Sequence, residues 1–374
     1  MTTRESEVFD LIKHNPMISQ EEIAETIGIT RSAVSVYVSN LIKQGYIKGR
    51  GYVVSDENDT VVIGVAAVDI VGSMLEYPGS SAVEHIFAQF GDVSVSFGGA
   101  GRNIAEYMAR LGGSVKLVAA IATDMFGKQM VQDCEELHID SSACLRIAGS
   151  KQDMMVQLRD PRDRSRRSVL NYRTSELLTQ EFLKSQYAPL NASSRIVVTD
   201  ILAPDAAEYL LCTFPNKEIW CILSGVLERL DSYRGILNRF SHVYLNAKTA
   251  DHLLNCNIHG TASQYARSLC RTGIRNIYVS CDNCQLLHIT GEHATRYELP
   301  EGIISDSERG KDAFVAGLVD SSACHRLDMN ETVRFAAACS AVQMEAERNP
   351  EVIFSPETVN ARMKTLPLPA ETIY

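Results

Sequence analysis

The sequence predicts a small α+β head over residues 1–55, a linker over 56–60 and a large α/β unit over 61–374. Three observations carry that division. From residue 61 onward, apolar runs of strand length alternate with helical apolar periodicity, the pattern of a sheet layered with helices. The first 55 residues instead show three short helical patterns and then an alternating stretch around two glycines. Charge divides at the same place. The head's six basic residues (Arg4, Lys13, Arg31, Lys43, Lys48, Arg50) balance six acidic ones (Glu5, Glu7, Asp10, Glu21, Glu22, Glu25), so the formal net charge of -10 belongs to residues 56–374.

With 374 residues, 45% of them hydrophobic and 22% charged, the chain can bury a large core. No apolar run approaches the ~18 residues of a membrane span. The first ten residues, MTTRESEVFD, lack the apolar stretch of a secretory leader. A cytoplasmic protein with no membrane partner is the expectation. Ten cysteines are scattered without a small-domain framework and read as buried thiols. Cys281 and Cys284 form a CxxC, but no second pair or histidine follows at metal spacing, so no metal-binding cluster is expected.

In the head, Val8, Leu11 and Ile12 recur at helical spacing and predict a helix over 5–14, stopped by Asn15-Pro16. Ser19-Gln20-Glu21-Glu22 is a capping box that opens a second helix through Ile27. Gly28 suits the left-handed residue that ends it. Thr30 caps a third helix with Val34, Val38, Leu41 and Ile42 inward, and Gly45 ends that one. Residues 46–54 alternate around Gly49 and Gly51 and predict a β-hairpin. This order is that of a winged helix-turn-helix, and residues 19–47 resemble the LexA- and MarR-like bacterial winged helices. The resemblance implies that the third helix enters a major groove N-terminus first. Thr30, Arg31, Ser32, Ser35 and Ser39 would face the bases, while Lys48 and Arg50 on the wing would neutralise phosphates. Residues 30–55 hold four positive charges and no negative one. Operator DNA is the expected partner. So few charges per head imply weak binding, so a homodimer is expected too. Docking or dimerisation alone is the other use of such a module.

In the large unit, Val61–Ala66 is a continuous apolar run, as a buried parallel strand requires. Further strands are expected at Val115–Ile121, Arg195–Thr199, Ile219–Leu223, His242–Leu245 and Asn276–Ser280, with helices such as Ala100–Leu111 and Ala262–Arg271 between them. Met154–Leu158 and Ser168–Tyr172 alternate around a turn rich in arginine (Arg159, Arg162, Arg164, Arg166, Arg167). That turn reads as solvated, or as a basic rim for a phosphorylated ligand.

Phe97-Gly98-Gly99-Ala100-Gly101-Arg102-Asn103 leads into a helix that ends at Leu111-Gly112, and Ala122-Thr123-Asp124-Met125-Phe126-Gly127 follows. These segments, with Asp306-Ser307-Glu308-Arg309-Gly310-Lys311-Asp312-Ala313-Phe314, resemble the two signatures of the PfkB (ribokinase-like) sugar and nucleoside kinases. The resemblance implies a ribokinase-like three-layer α/β domain with a small β lid, its strands near 70–98 and 153–173. It implies that Asp69, Gly98, Gly99 and Asn103 bind the substrate and that Asp312 is the general base for its hydroxyl. ATP and Mg2+ are implied as cofactors if the unit is catalytic, and none otherwise.

Three nucleotide-side segments depart from the family. The G-A-G turn before the base is Arg309-Gly310-Lys311; N-x-x-E is Asn246-Ala247-Lys248-Thr249; and V-T-x-G is Val279-Ser280-Cys281-Asp282. Arg309 and Lys311 are cations where phosphate charge would develop, so Arg309, Gly310, Lys311, Asn246 and Ser280 are the nucleotide-side candidates. Asp282 would repel phosphates. Three readings stand: a regulator whose lid domain senses a sugar or nucleoside, an active kinase for a primary hydroxyl, and a non-catalytic scaffold with no ligand, against which Asp69, Gly98, Gly99 and Asn103 argue. Within the family, members carrying such a head look similar to pseudouridine kinases, which implies a nucleoside or pentose.

Overall fold

The computed structural model describes the chain except Met17, 49–58, 75–90, 160–165, 200–201, 224–229, 255–261, 282–283, Glu292, Gly302, 304–307, 325–326 and Tyr374. The hairpin expected over 46–54 and Arg50 therefore lie largely outside the described residues, as do Arg162, Arg164 and Asp282.

The head consists of α1 (Thr3–His14), α2 (Gln20–Ile27) and α3 (Arg31–Lys43). Each begins at a side-chain cap. Thr2 and Glu5 form one capping box and Ser19 and Glu22 another, while the Thr30 hydroxyl accepts from the Ala33 N–H. Gly28 takes the left-handed conformation (φ 69°) that ends α2 and turns the chain toward α3. Val8, Ile12, Ile23, Val34, Val38, Leu41 and Ile47 close a small core. Ile42, expected inward, is 48% exposed. At about 100° per residue it lies outside the stripe that Val34, Val38 and Leu41 share.

The large unit begins with β1 (Thr60–Ile63), β2 (Ala67–Met74), β3 (Gly91–Gly98), α4 (Ala100–Arg110), β4 (Val115–Val118), β5 (Ala120–Ala122), α5 (Met125–Glu136) and β6 (Leu145–Ile147). It continues with β7 (Met154–Arg159), β8 (Arg166–Asn171), α6 (Gln180–Ser185), α7 (Tyr187–Ala192), β9 (Arg195–Thr199), α8 (Pro204–Thr213) and β10 (Glu218–Leu223). Then come α9 (Leu230–Tyr233), β11 (His242–Asn246), α10 (Ala247–Leu254), α11 (Ala262–Cys270), β12 (Asn276–Cys281), β13 (Gln285–Thr290) and β14 (His293–Glu298). The last elements are α12 (Glu308–Cys324), α13 (Met329–Arg348), α14 (Pro356–Thr365) and β15 (Ala370–Thr372).

Among the described residues the main sheet runs β15-β14-β13-β12-β11-β10-β9-β1-β4. It is parallel from β4 to β12 and antiparallel beyond. Alternate strand residues point to opposite helical layers. Val62, Val197, Trp220 and Tyr244 pack on α4, α12 and α13, whereas Val61, Ile196, Cys221 and Val243 pack on α6, α8, α10 and α11. The result is three layers.

The single strand expected at Val115–Ile121 is two. β4 stays on β1, and β5 leaves to pair with β6. Both halves are buried, so the apolar run carries no mark of the break. Asp59 and Thr60, placed in the linker by composition, are buried: the Asp59 carbonyl accepts from Ser194 N–H. The lid is a sheet ordered β3-β2-β7-β8. Arg159, Arg166 and Arg167 belong to its strands rather than to a turn.

The head touches the large unit at α7. Asn191 Nδ2 donates to the Gln44 carbonyl at 3.0 Å, and Gly45 (φ 83°) approaches so closely that a Cβ there would lie 2.2 Å from the Ala188 oxygen. Lys48, expected to neutralise DNA phosphates, pairs with Asp59 at 3.0 Å. The acid lies at the root of β1.

Candidate functional site

The C-terminal ends of β1 and β9 meet the start of α4, which packs against α12, at the carboxyl end of the parallel sheet, the usual position for a ligand in such folds. Glycines bring the pieces together. A Cβ on Gly101 would lie 2.8 Å from Gly64 Cα, so α4 starts directly against the end of β1. Gly99 caps α4 at φ 88°, with a Cβ position 2.7 Å from the Val65 oxygen, a place no other residue fits without strain.

Asp69, on β2, leans across to β3: a Cβ on Gly98 would lie 1.9 Å from its Oδ2. Asn103 Nδ2 donates to Asp312 Oδ2 at 2.9 Å, and each residue is only 3% exposed. This bond joins α4 to α12 across 209 residues of chain. Asp124 plays a scaffolding part. Its carboxylate caps α5 through Gly127 N–H and accepts Gln152 N–H, and the Gln152 amide donates to the Ala66 carbonyl where β1 leads toward β2.

Arg309 is not where its charge was expected to serve. Nε donates to Tyr107 Oη at 3.0 Å, one terminal nitrogen to the Phe97 carbonyl at 3.1 Å, and the other to Glu106 Oε2 at 2.9 Å. The guanidinium is thus aimed at α4 and the end of β3. Glu106 also accepts from Arg110 at 2.8 Å and from Arg102, which reaches Asp133 as well. Burial disfavours both charges. Tyr107 and Glu106 nevertheless hold the Arg309 guanidinium above its ordinary pKa, and the three arginines hold the Glu106 carboxyl below its own.

Of the other residues expected on the nucleotide side, Asn246 and Ser280 lie at the ends of β11 and β12. Asn246 Oδ1 accepts the Thr249 N–H at 2.8 Å, so its side chain caps α10. Ser280 is buried, 3.4 Å from the Leu245 carbonyl. Gly310 and Lys311 lie in the first turn of α12. Among the described residues only His138 and Cys284 combine a side chain with positive φ, so Lys311 carries no left-handed strain.

On the head, Thr30, Arg31, Ser32, Ser35 and Ser39 are all exposed along α3, and Arg31 is paired with Glu21 at 2.9 Å. No helix of the described residues is long and apolar enough to cross a membrane, and no group of His, Cys, Asp or Glu among them could hold a metal ion.

Sequence reasoning missed Arg102, Glu106 and Tyr107. A signal was present: Arg102, Glu106 and Arg110 stand four apart, the spacing of helical ion pairs. Nothing in the sequence tied Arg309 to them.

A profile of winged helix-turn-helix DNA-binding regions matches residues 2–48, and one of pfkB family carbohydrate kinases matches 58–348. The uncharacterised sugar kinase YeiI of Escherichia coli (strain K12) is 25% identical over 354 residues, covering 91% of this chain and 93% of its own. The pseudouridine kinase of the same organism is 23% identical over 304 residues, covering 79% and 94%. Arabidopsis thaliana ribokinase, solved with ribose and ATP, superposes with a TM-score of 0.67 at 13% identity, over 83% of this chain and 99% of that one. The three-layer unit with its lid thus follows a ribokinase-like fold, and the chain belongs to the pfkB family of carbohydrate kinases.

Proposed function

We propose that this protein is a DNA-binding transcriptional regulator whose pfkB unit binds a sugar or nucleoside, pseudouridine foremost, as its effector. The observation that carries this reading is the asymmetry of the site. The ligand-side groups converge, with Asp69 against Gly98 and Asn103 on Asp312, whereas Arg309 turns inward to α4 and Asn246 caps its own helix. The exposed polar start of α3 gives the same chain a surface for operator DNA. The similarity to a pseudouridine kinase supports a nucleoside over a hexose.

A homodimer fits the lid. Register places Val93 and Val95 of β3, Val156 and Leu158 of β7 and Val169 of β8 on one face, and all five are exposed, Val93 and Val169 by more than 70%. A second copy would cover this face and bring a second head to the operator. Such a regulator acts in the cytoplasm, where the operator lies.

The Asn103–Asp312 bond favours a second reading, an active kinase. There Asp312 accepts the proton of a primary hydroxyl while ATP with Mg2+ supplies the phosphoryl group, and Asn246, Ser280, Gly310 and Lys311 line the nucleotide side. Two measurements separate the readings: thermal shift with D-ribose or pseudouridine, each with and without Mg-ATP, and fluorescence anisotropy on the protein's own promoter. Stabilisation by pseudouridine alone, with altered promoter affinity, is expected. Phosphorylated product would move the kinase to first place, and promoter binding indifferent to every sugar and nucleoside would overturn the regulator.

A further inference from the structure

We infer that Arg309 is a positioning residue: it holds the Asp312-bearing start of α12 against the β3–α4 turn, so that the Asp69, Asn103 and Asp312 side of the site is assembled before any ligand arrives. The inference rests on those residues forming the ligand site. Its basis is the three-way fork of the guanidinium. The acceptors are the Phe97 carbonyl, just before Gly98-Gly99, Tyr107 Oη and Glu106 Oε2. They lie on β3 and α4, the two elements that carry Gly98 and Asn103, whereas Arg309 stands three residues before Asp312 on α12. The planar fork suits this task because one rigid group fixes three directions at once, whereas an ammonium gives a single centre. The Asn103–Asp312 bond closes the same gap from the other side, so two independent contacts set the distance between α4 and α12. The place matches one where the family's turn has glycine, so the cation has exchanged a bare turn for a strap.

Arg309→Met leaves Glu106 paired with Arg102 and Arg110, so no buried carboxylate is stranded, while the buried Tyr107 hydroxyl loses its bond to the guanidinium. Hydrogen–deuterium exchange of the full chain reads the strap without a ligand. Exchange is expected to rise by about tenfold, the loss of about one hydrogen bond's worth of local stability, in residues 97–103 and 308–313. Arg309→Lys keeps the charge but not the fork, and is expected to leave most of that rise in place. Calorimetric titration with pseudouridine and with D-ribose is expected to show affinity falling about tenfold in both variants, with the melting temperature little changed. Unchanged exchange in Arg309→Met would overturn the inference. So would full recovery by Arg309→Lys, which would make charge rather than geometry the agent, or unchanged ligand affinity in a variant whose exchange has risen. If the unaltered protein binds neither probe, the proposed ligand class fails, and the exchange comparison still decides the role of Arg309.

Discussion

Replacing Gly98 by alanine tests the ligand site with one methyl group. The added Cβ would lie 1.9 Å from Asp69 Oδ2 and 2.5 Å from its Cγ, whereas ordinary contact begins near 3.4 Å. The carboxylate must therefore retreat by about 1.5 Å. Asp69 can do this by side-chain rotation, at ~1 kcal/mol of rotamer strain, so the fold should survive. A ligand hydroxyl held by that carboxylate loses a hydrogen bond to a charged group, worth about 1.5–3 kcal/mol, or roughly 10- to 150-fold in affinity. Gly99→Ala is the contrasting variant. Its φ is 88° and the obstacle is the Val65 backbone oxygen at 2.7 Å, which no rotamer relieves. That change should cost about 1–3 kcal/mol of stability. Calorimetric titration with pseudouridine and D-ribose, alongside urea unfolding, reads both effects. Gly98→Ala binding as tightly as the unaltered protein would refute the placement of Asp69 at the ligand.

Asp312→Asn keeps the size of the side chain and an oxygen for Asn103, so ligand binding should persist while any phosphoryl transfer falls by about 10²-fold or more; unchanged turnover in a coupled ATPase assay would remove Asp312 as the base. Arg31→Ala breaks only an exposed pair with Glu21, so stability should hold while promoter affinity falls by about 1–3 kcal/mol through the loss of a base contact; unaltered affinity would take Arg31 off the bases. Burial pulls the His242 and His288 imidazoles down to about 4, against an ordinary value of 6.5, with Glu218 opposing only in part at His242. Between those values the unfolded chain binds more protons, so stability is full above pH 6.5 and falls as pH drops toward 4, by at most ~1.4 kcal/mol per pH unit for each histidine; a flat urea midpoint between pH 7 and 5 would contradict this. Gly45→Ala places a Cβ 2.2 Å from the Ala188 oxygen and should push the head off α7, raising amide exchange over 187–192; exchange equal to that of the unaltered protein would show that the contact carries no weight.

The amino-acid sequence by itself determined what depends on neighbours in the chain. Ser19 and Thr30 cap their helices and Gly28 turns left-handed, because a cap is made within three or four residues. The strands of the parallel sheet were legible because burial on both faces leaves a continuous apolar run in the chain. Tertiary structure alone decided where long side chains point. Lys48 meets Asp59, Arg309 meets Glu106 across 203 residues, and the run from Val115 to Ile121 divides between two partner strands. In each case the chemical type of the residue was plain, but its partner belonged to another element. A cation beside an expected phosphate site therefore reads as a phosphate ligand until the fold supplies a carboxylate, a phenol and a carbonyl that hold it in place. The motif marked Asp69, Gly98, Asn103 and Asp312 as a group. Only packing of α4 against α12 brings Asn103 and Asp312 to hydrogen-bond distance, and it does so with the help of an arginine that the motif does not contain.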